Sequence, residues 1–300
     1  MVNWQGVFPA VTTKFNADET LDFEGMERHF SAQIEAGVHG LIVLGSLGEN
    51  GVLSAVEKQE ILKFAVSVNR GRVPVLAGIA ERTTRDAIEF AKTSAENGAD
   101  GFMLLPPMQY VSDSRETIQY LRAVAVASPK PIMIYNNPVA YGVDVTPEMF
   151  AELADEPKFV AIKESSDNVR RITDIINQVG NRYSIFIGVD NLALESILLG
   201  AVGWVAGLVC AFPRETVVLY KLARSGRLNE ARELYRWFMP LLHLDVSTKL
   251  VQNIKLAEVM TGLGTEYVRA PRLPLAGAER ERVMHIIKDA LRARPELPVV

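Results

Sequence analysis

The sequence predicts an α/β fold, a (β/α)8 barrel of the TIM type followed by a C-terminal helical extension. Three observations point to it. Eight short apolar runs recur along the chain up to Leu208. Each is followed by a segment whose apolar residues fall at helical spacing. No strand-to-helix turn carries the G-x-G-x-x-G pattern of an open dinucleotide-binding sheet. Eight strand–helix units within 300 residues favour a closed parallel barrel over a doubly wound sheet.

The strands are expected at 7–11, 40–45, 74–79, 101–106, 131–135, 159–163, 184–189 and 203–208. Helices are expected at 22–36, 54–68, 83–97, 115–127, 146–154, 168–179, 191–199 and 213–223. Ser54-x-x-Glu57 is a capping-box start, and Thr146-Pro147 puts a cap residue before a proline at the first helical position. Beyond the eighth unit, helical patterns continue at 228–242, 247–260 and 278–292 with no further strand. The chain therefore divides into a barrel, 1–224, and a helical extension, 225–300. The stretch 262–274, rich in Gly, Pro and Arg, is expected to be a flexible connection.

A hydrophobic content of 48% supports a large core. The net charge of -4, without any Lys/Arg block, argues against nucleic acid or an anionic membrane as partner and leaves a small molecule. No apolar run reaches membrane-spanning length, and the N-terminus lacks the basic-then-apolar order of a secretory signal, so a cytoplasmic location is expected. The single cysteine, Cys210, lies in an apolar stretch and reads as a buried small hydrophobe. His29, His39, His243 and His285 have no metal-ligand spacing and read as surface or helix residues, and no metal site is expected. Glu230/Glu233 and Glu279/Glu281 read as solvated helix faces, Arg269 and Arg272 as loop salt-bridge partners, and Trp204 as core or interface.

In such a barrel, chemistry sits at the C-terminal ends of the strands. The sixth run, Phe159-Val-Ala-Ile-Lys163, ends in a lysine after four apolar residues. Strand alternation puts Phe159, Ala161 and Lys163 on one face, which aims Lys163 into the barrel mouth. Desolvation there would leave more free amine to attack a carbonyl; the alternative is a rim lysine paired with Glu164. The fifth run places Tyr135 by the same parity beside Lys163, as a proton relay or as a core tyrosine. The second run ends in Gly45-Ser-Leu-Gly-Glu-Asn-Gly51, a turn whose backbone N–H groups can converge on an anion such as a carboxylate.

Gly45-Ser-Leu-Gly-Glu49, Tyr135-Asn-Asn-Pro138 and Ile162-Lys-Glu164 together resemble the G-[ST]-x-G-E, Y-N-x-P and I-K-[ED] motifs of the dihydrodipicolinate synthase and N-acetylneuraminate lyase family. The likeness runs from Gly6-Val-Phe-Pro9 to Arg272-Leu-Pro-Leu275. It implies a Schiff-base enzyme acting on a 2-oxo or 2-imino acid, in a homotetramer, with no metal or organic cofactor. It also implies that Lys163 forms the imine, Tyr135 shuttles protons, and Ser46 holds the substrate carboxylate and relays a proton. The backbone of Ser46 and Leu47 matches the carboxylate nest, Val205 and Gly207 match pocket-lining backbone, and Asp190 matches a contact to a hydroxylated substrate tail or else caps the next helix.

The departures narrow the reaction. Where the synthases of the family carry an arginine for a second carboxylate, this chain has Ala140. Leu47 replaces a second loop hydroxyl, and Met108 stands where a second relay tyrosine belongs, with Tyr110 two residues on as a possible substitute. The pattern is most similar to the subgroup that deaminates 1-pyrroline-4-hydroxy-2-carboxylate in hydroxyproline breakdown. A pyruvate-dependent aldolase, lyase or dehydratase on a 2-keto-3-deoxy sugar acid or an N-acetylneuraminate-like substrate comes next, then dihydrodipicolinate synthase, then a non-catalytic 2-oxo acid sensor.

Overall fold

The computed structural model describes residues 4–300; Met1–Asn3, part of the stretch read against a secretory signal, lie outside the described residues. The barrel runs β1 (Gly6–Pro9), α1 (Phe23–Glu35), β2 (Leu41–Val43), α2 (Ala55–Asn69), β3 (Val75–Ile79), α3 (Thr84–Glu96), β4 (Gly101–Leu104), α4 (Ser114–Ala127), β5 (Ile132–Asn136), α5 (Pro138–Tyr141), α6 (Pro147–Glu152), β6 (Phe159–Glu164), α7 (Arg170–Val179), β7 (Ser184–Ile187), α8 (Ala193–Leu198), β8 (Gly203–Ala206) and α9 (Pro213–Arg224). After it come α10 (Leu228–Leu242), α11 (Leu250–Thr261) and α12 (Gly277–Arg292). The eight strands are parallel in the order β1-β8-β7-β6-β5-β4-β3-β2. A parallel bridge between Ala10 and Ile42 brings β1 and β2 together and closes the TIM barrel.

Most strands stop earlier than their apolar runs. Leu105 and Leu208 are buried yet outside the ladder, because an apolar run reports burial and not strand pairing. The helix starts follow their signals: Ser54 and Glu57 form a full capping box on α2, and Thr146 accepts from Met149 N ahead of Pro147. At the bottom of the barrel Phe8 and Phe186 meet edge to face, with centroids 5.1 Å apart. Gly40 and Gly203 admit these rings, since a Cβ at either would lie 2.5 Å or 2.2 Å from a ring carbon.

Two buried ion pairs tie the extension to the barrel. Lys14 Nζ donates to Glu258 on α11 at 2.6 Å, and Thr12 donates to the same carboxylate at 2.7 Å. Lys255, one turn earlier on α11, donates to Glu49 and to the Tyr267 carbonyl, both at 2.6 Å. Segment 262–274 is therefore not the loose connection its composition suggests. Arg269 donates to the Val52 carbonyl at 3.2 Å and pairs with Glu57 at 2.8 Å, while Arg272 reaches Glu49 at 3.8 Å. His29 lies on α1, a helix residue as expected, and is fully buried there, whereas His243 and His285 are exposed.

Candidate active site

The C-terminal ends of β5 and β6 set the centre of the site. Tyr135 and Lys163 are register partners in adjacent parallel strands, so their side chains leave the sheet on the same face. The Lys163 ammonium lies 3.9 Å from the centroid of the Tyr135 ring, and both residues are buried. Lys163 does not pair with Glu164, which accepts from Asn136 at 3.1 Å and from Ser166 N at 2.7 Å. Burial holds the Lys163 pKa below the ordinary lysine value, against the opposing charges of Tyr141, Asp245 and Asp190. A lysine in this setting offers free amine to a carbonyl or imine carbon.

Tyr135 receives a hydrogen bond from Asn137 Nδ2 at 3.0 Å, and burial raises its pKa, so the phenol stays protonated. The same asparagine starts α5: its Oδ1 accepts from Ala140 N, Pro138 occupies the first turn, and Gly142 stops the helix at φ 72°. This single turn folds Tyr141 back over Tyr135, with ring centroids 5.8 Å apart and near perpendicular. The Tyr141 hydroxyl contacts Ser46 Oγ and hydrogen-bonds with Tyr135, so three hydroxyls run in a chain from Ser46 to the ring over which the Lys163 ammonium lies. Sequence reasoning missed Tyr141, although Asn137-Pro138 and Gly142 are local start and stop signals for the turn that aims it. Tyr110 is 58% exposed and turned to Glu116, and Met108 packs against the core.

The glycine-rich turn lies across the mouth. Leu44 sits at φ 62° and Glu49 at φ 57°, bringing the chain back on itself, and Asn50 Nδ2 holds the Leu44 carbonyl at 2.9 Å. Gly78 on β3 makes room for that carbonyl, because a Cβ there would lie 2.3 Å from it. Among the described residues, the N–H groups of Ser46 and Leu47 donate to no acceptor. They remain open for an anion.

On the opposite side, Asp190 is fully buried and faces inward. It accepts from Trp204 Nε1 at 2.9 Å, from Gly207 N at 3.1 Å and from Leu208 N at 2.7 Å, fixing the turn after β8. Gly207, whose N–H is committed to Asp190, and Val205, buried within β8 opposite Phe8, form the wall there. A residue that sequence reasoning missed completes this side: Asp245, in the helical turn His243–Asp245 after α10. Its Oδ1 would lie 2.2 Å from a Cβ on Gly207, so the glycine is what lets the carboxylate approach. Burial and the charge of Asp190 push its pKa well above the ordinary value.

A separate buried cluster lies behind the site. His29, Cys210 and Glu258 bring donor atoms within 4.8 Å of one another. Sequence spacing gave no hint of it. The Lys14 ammonium already neutralises Glu258, and Cys210 donates to the Ala10 carbonyl at 3.4 Å. Burial drives the His29 pKa down to about 3, so the imidazole packs as a neutral ring.

Related proteins share this barrel. The chain is 30% identical over 287 residues to a 4-hydroxy-tetrahydrodipicolinate synthase of Methanospirillum hungatei, covering 95% of this chain and 98% of that one. The crystal structure of a dihydrodipicolinate synthase from Acinetobacter baumannii complexed with pyruvate superposes with a TM-score of 0.90 at 28% identity, over 95% of this chain and 98% of the other. A prophage protein of E. coli K12 in the dihydrodipicolinic acid synthase family, also complexed with pyruvate, gives 0.91 at 29% identity, over 97% and 99%. Residues 3–290 match the dihydrodipicolinate synthetase family model, so the chain belongs to the dihydrodipicolinate synthetase family and is a Schiff-base enzyme of the class I aldolase type.

Proposed function

We propose that the enzyme deaminates 1-pyrroline-4-hydroxy-2-carboxylate to 2-oxoglutarate semialdehyde and ammonia. Lys163 adds to C2 of the ring and the ring nitrogen departs as an amine, leaving an open-chain imine on the lysine. The carboxylate rests on the N–H groups of Ser46 and Leu47. The C3 proton that the imine has made acidic passes to the Tyr135 hydroxyl as that hydroxyl hands its own proton on to Tyr141, and the C4 hydroxyl leaves as water. The remaining enamine shifts to an imine at C5, whose hydrolysis releases ammonia, and a further water frees the product from Lys163. The net reaction consumes one water.

One observation carries this choice within the family, the residue at position 140. Ala140 stands exposed on α5 in the position where the synthases of the family hold their arginine. A second substrate carboxylate would enter without a partner, and burying an unpaired charge is costly. The compact ring carries one carboxylate and one hydroxyl. A long polyol would leave hydroxyls unpaired against Leu47 and Val205 at about 1–3 kcal/mol each.

The test is ammonia release from the hydroxy-pyrroline carboxylate, compared at equal enzyme with pyruvate release from 2-keto-3-deoxy acids and N-acetylneuraminate, and with condensation of pyruvate and aspartate semialdehyde. Ammonia release dominant by at least about tenfold is expected. Efficient pyruvate release or condensation without ammonia rejects the reading.

A further inference from the structure

Two aspartates border the Lys163 side of the barrel mouth, and they differ in one respect. Asp190 has its carboxylate taken up by Trp204, Gly207 and Leu208. The Asp245 carboxylate, partly buried directly over Gly207, has no hydrogen-bond or ion-pair partner among the described residues. Its neighbours hold it in place. His243 Nδ1 meets Asn191 Nδ2 at 2.9 Å, Leu244 is buried with its carbonyl accepting from Asn253 at 3.0 Å, and the Tyr235 hydroxyl donates to the Asn191 carbonyl at 2.6 Å. A carboxyl group positioned on both flanks but unbonded at its tip is available to a ligand, and its field acts on both Lys163 and Tyr135.

We propose that Asp245, supplied by the helical extension, binds the hydroxyl of the substrate tail and protonates it as it leaves. The inference rests on the proposed function. In the step concerned, the C3–H electrons pass through the enamine to form the C3–C4 double bond, the C4–O bond breaks, and the oxygen takes the Asp245 proton and departs as water. Asp245 is left as a carboxylate and regains its proton from solvent. Its raised pKa suits the donor form, because burial and Asp190 both oppose ionisation. Asp190, committed to backbone and indole N–H groups, acts as a positioning residue that keeps Gly207 beneath Asp245.

The experiment compares two readouts on wild type, Asp245→Asn and Gly207→Ala: borohydride trapping of the pyruvate imine, in which no tail hydroxyl takes part, and turnover of the hydroxy-pyrroline carboxylate. Asp245→Asn should keep trapping within about tenfold while turnover falls about 10²- to 10⁴-fold. Gly207→Ala, whose methyl displaces the carboxylate, should show the same split. Equal loss of trapping and turnover would overturn the proposal and make Asp245 a support for Lys163; unchanged turnover would overturn it as well. Wild-type ammonia release tests the function separately. If the wild type instead dehydrates a 2-keto-3-deoxy acid, that substrate replaces the ring in the same comparison with the same outcomes deciding; cleavage of such an acid to pyruvate, in which no hydroxyl leaves, overturns the proposal.

Discussion

Tyr135→Phe removes one oxygen from the centre of the site and little else. The ring stays beneath the Lys163 ammonium, where the present separation is 3.9 Å, so packing and the cation–π contact persist. Asn137 Nδ2 loses its acceptor, a cost of about 1 kcal/mol, while Asn137 Oδ1 continues to cap α5 through Ala140 N. For a domain of this size that lowers the melting temperature by about 2–4 °C. The proposed proton route from Ser46 through Tyr141 to the imine is cut. A positioned acid–base group contributes about 10²- to 10⁴-fold, so turnover should fall by that factor, equivalent to about 3–5 kcal/mol in the barrier. Trapping of the pyruvate imine should slow less, since one addition needs fewer transfers than the full cycle. Steady-state ammonia release, borohydride trapping and a thermal melt separate the three effects. Tyr141→Phe and Ser46→Ala, further out along the chain, should cost less than Tyr135→Phe. Wild-type turnover in Tyr135→Phe would refute the relay and leave Tyr135 as a packing residue.

Two further outcomes follow from buried charges. Lys163→Ala should abolish the borohydride adduct and cut activity by several orders of magnitude while remaining folded, and peptide mapping of the wild-type adduct to another lysine would contradict this. Because the folded Lys163 pKa lies below the unfolded value, the unfolded chain binds more protons in the window between them. Stability should therefore rise with pH across that window, and Lys163→Met should lose the slope; melts at two pH values check it. Glu258→Gln leaves the Lys14 ammonium unpaired in the core and should cost about 3–5 kcal/mol by denaturant unfolding, whereas a cost under about 1 kcal/mol would show that the pair is hydrated.

Lys163 and Tyr135 were legible because strand geometry is local. A period of two, read along Phe159–Glu164 and Ile132–Asn136, suffices to set both side chains on one face, and register between consecutive strands brings them together. The open N–H groups of the glycine turn were legible for a similar reason, since three glycines in seven residues announce unusual backbone. Asp190 was read as a contact to a hydroxylated substrate tail or a cap for the next helix, and its carboxylate orders Trp204 and the turn after β8, while Leu192 takes the cap position of α8. Tyr141 had local signals that periodicity does not register, because a single helical turn between strand and loop is too short to show an apolar pattern.

The sequence by itself determined the barrel, the helical extension, the lysine–tyrosine pair and the family, all of which follow from periodicity, caps and contiguous motifs. Only the tertiary structure decided what the extension does. Thr12 meets Glu258 across 246 residues, Lys255 meets Glu49 across 206, and Asp245 reaches Gly207 from outside the barrel. Such pairings arise from burying the faces of α10 and α11 against the barrel, a balance of many weak apolar contacts summed over the whole chain. No short stretch of residues encodes which carboxylate that packing will bring to which partner.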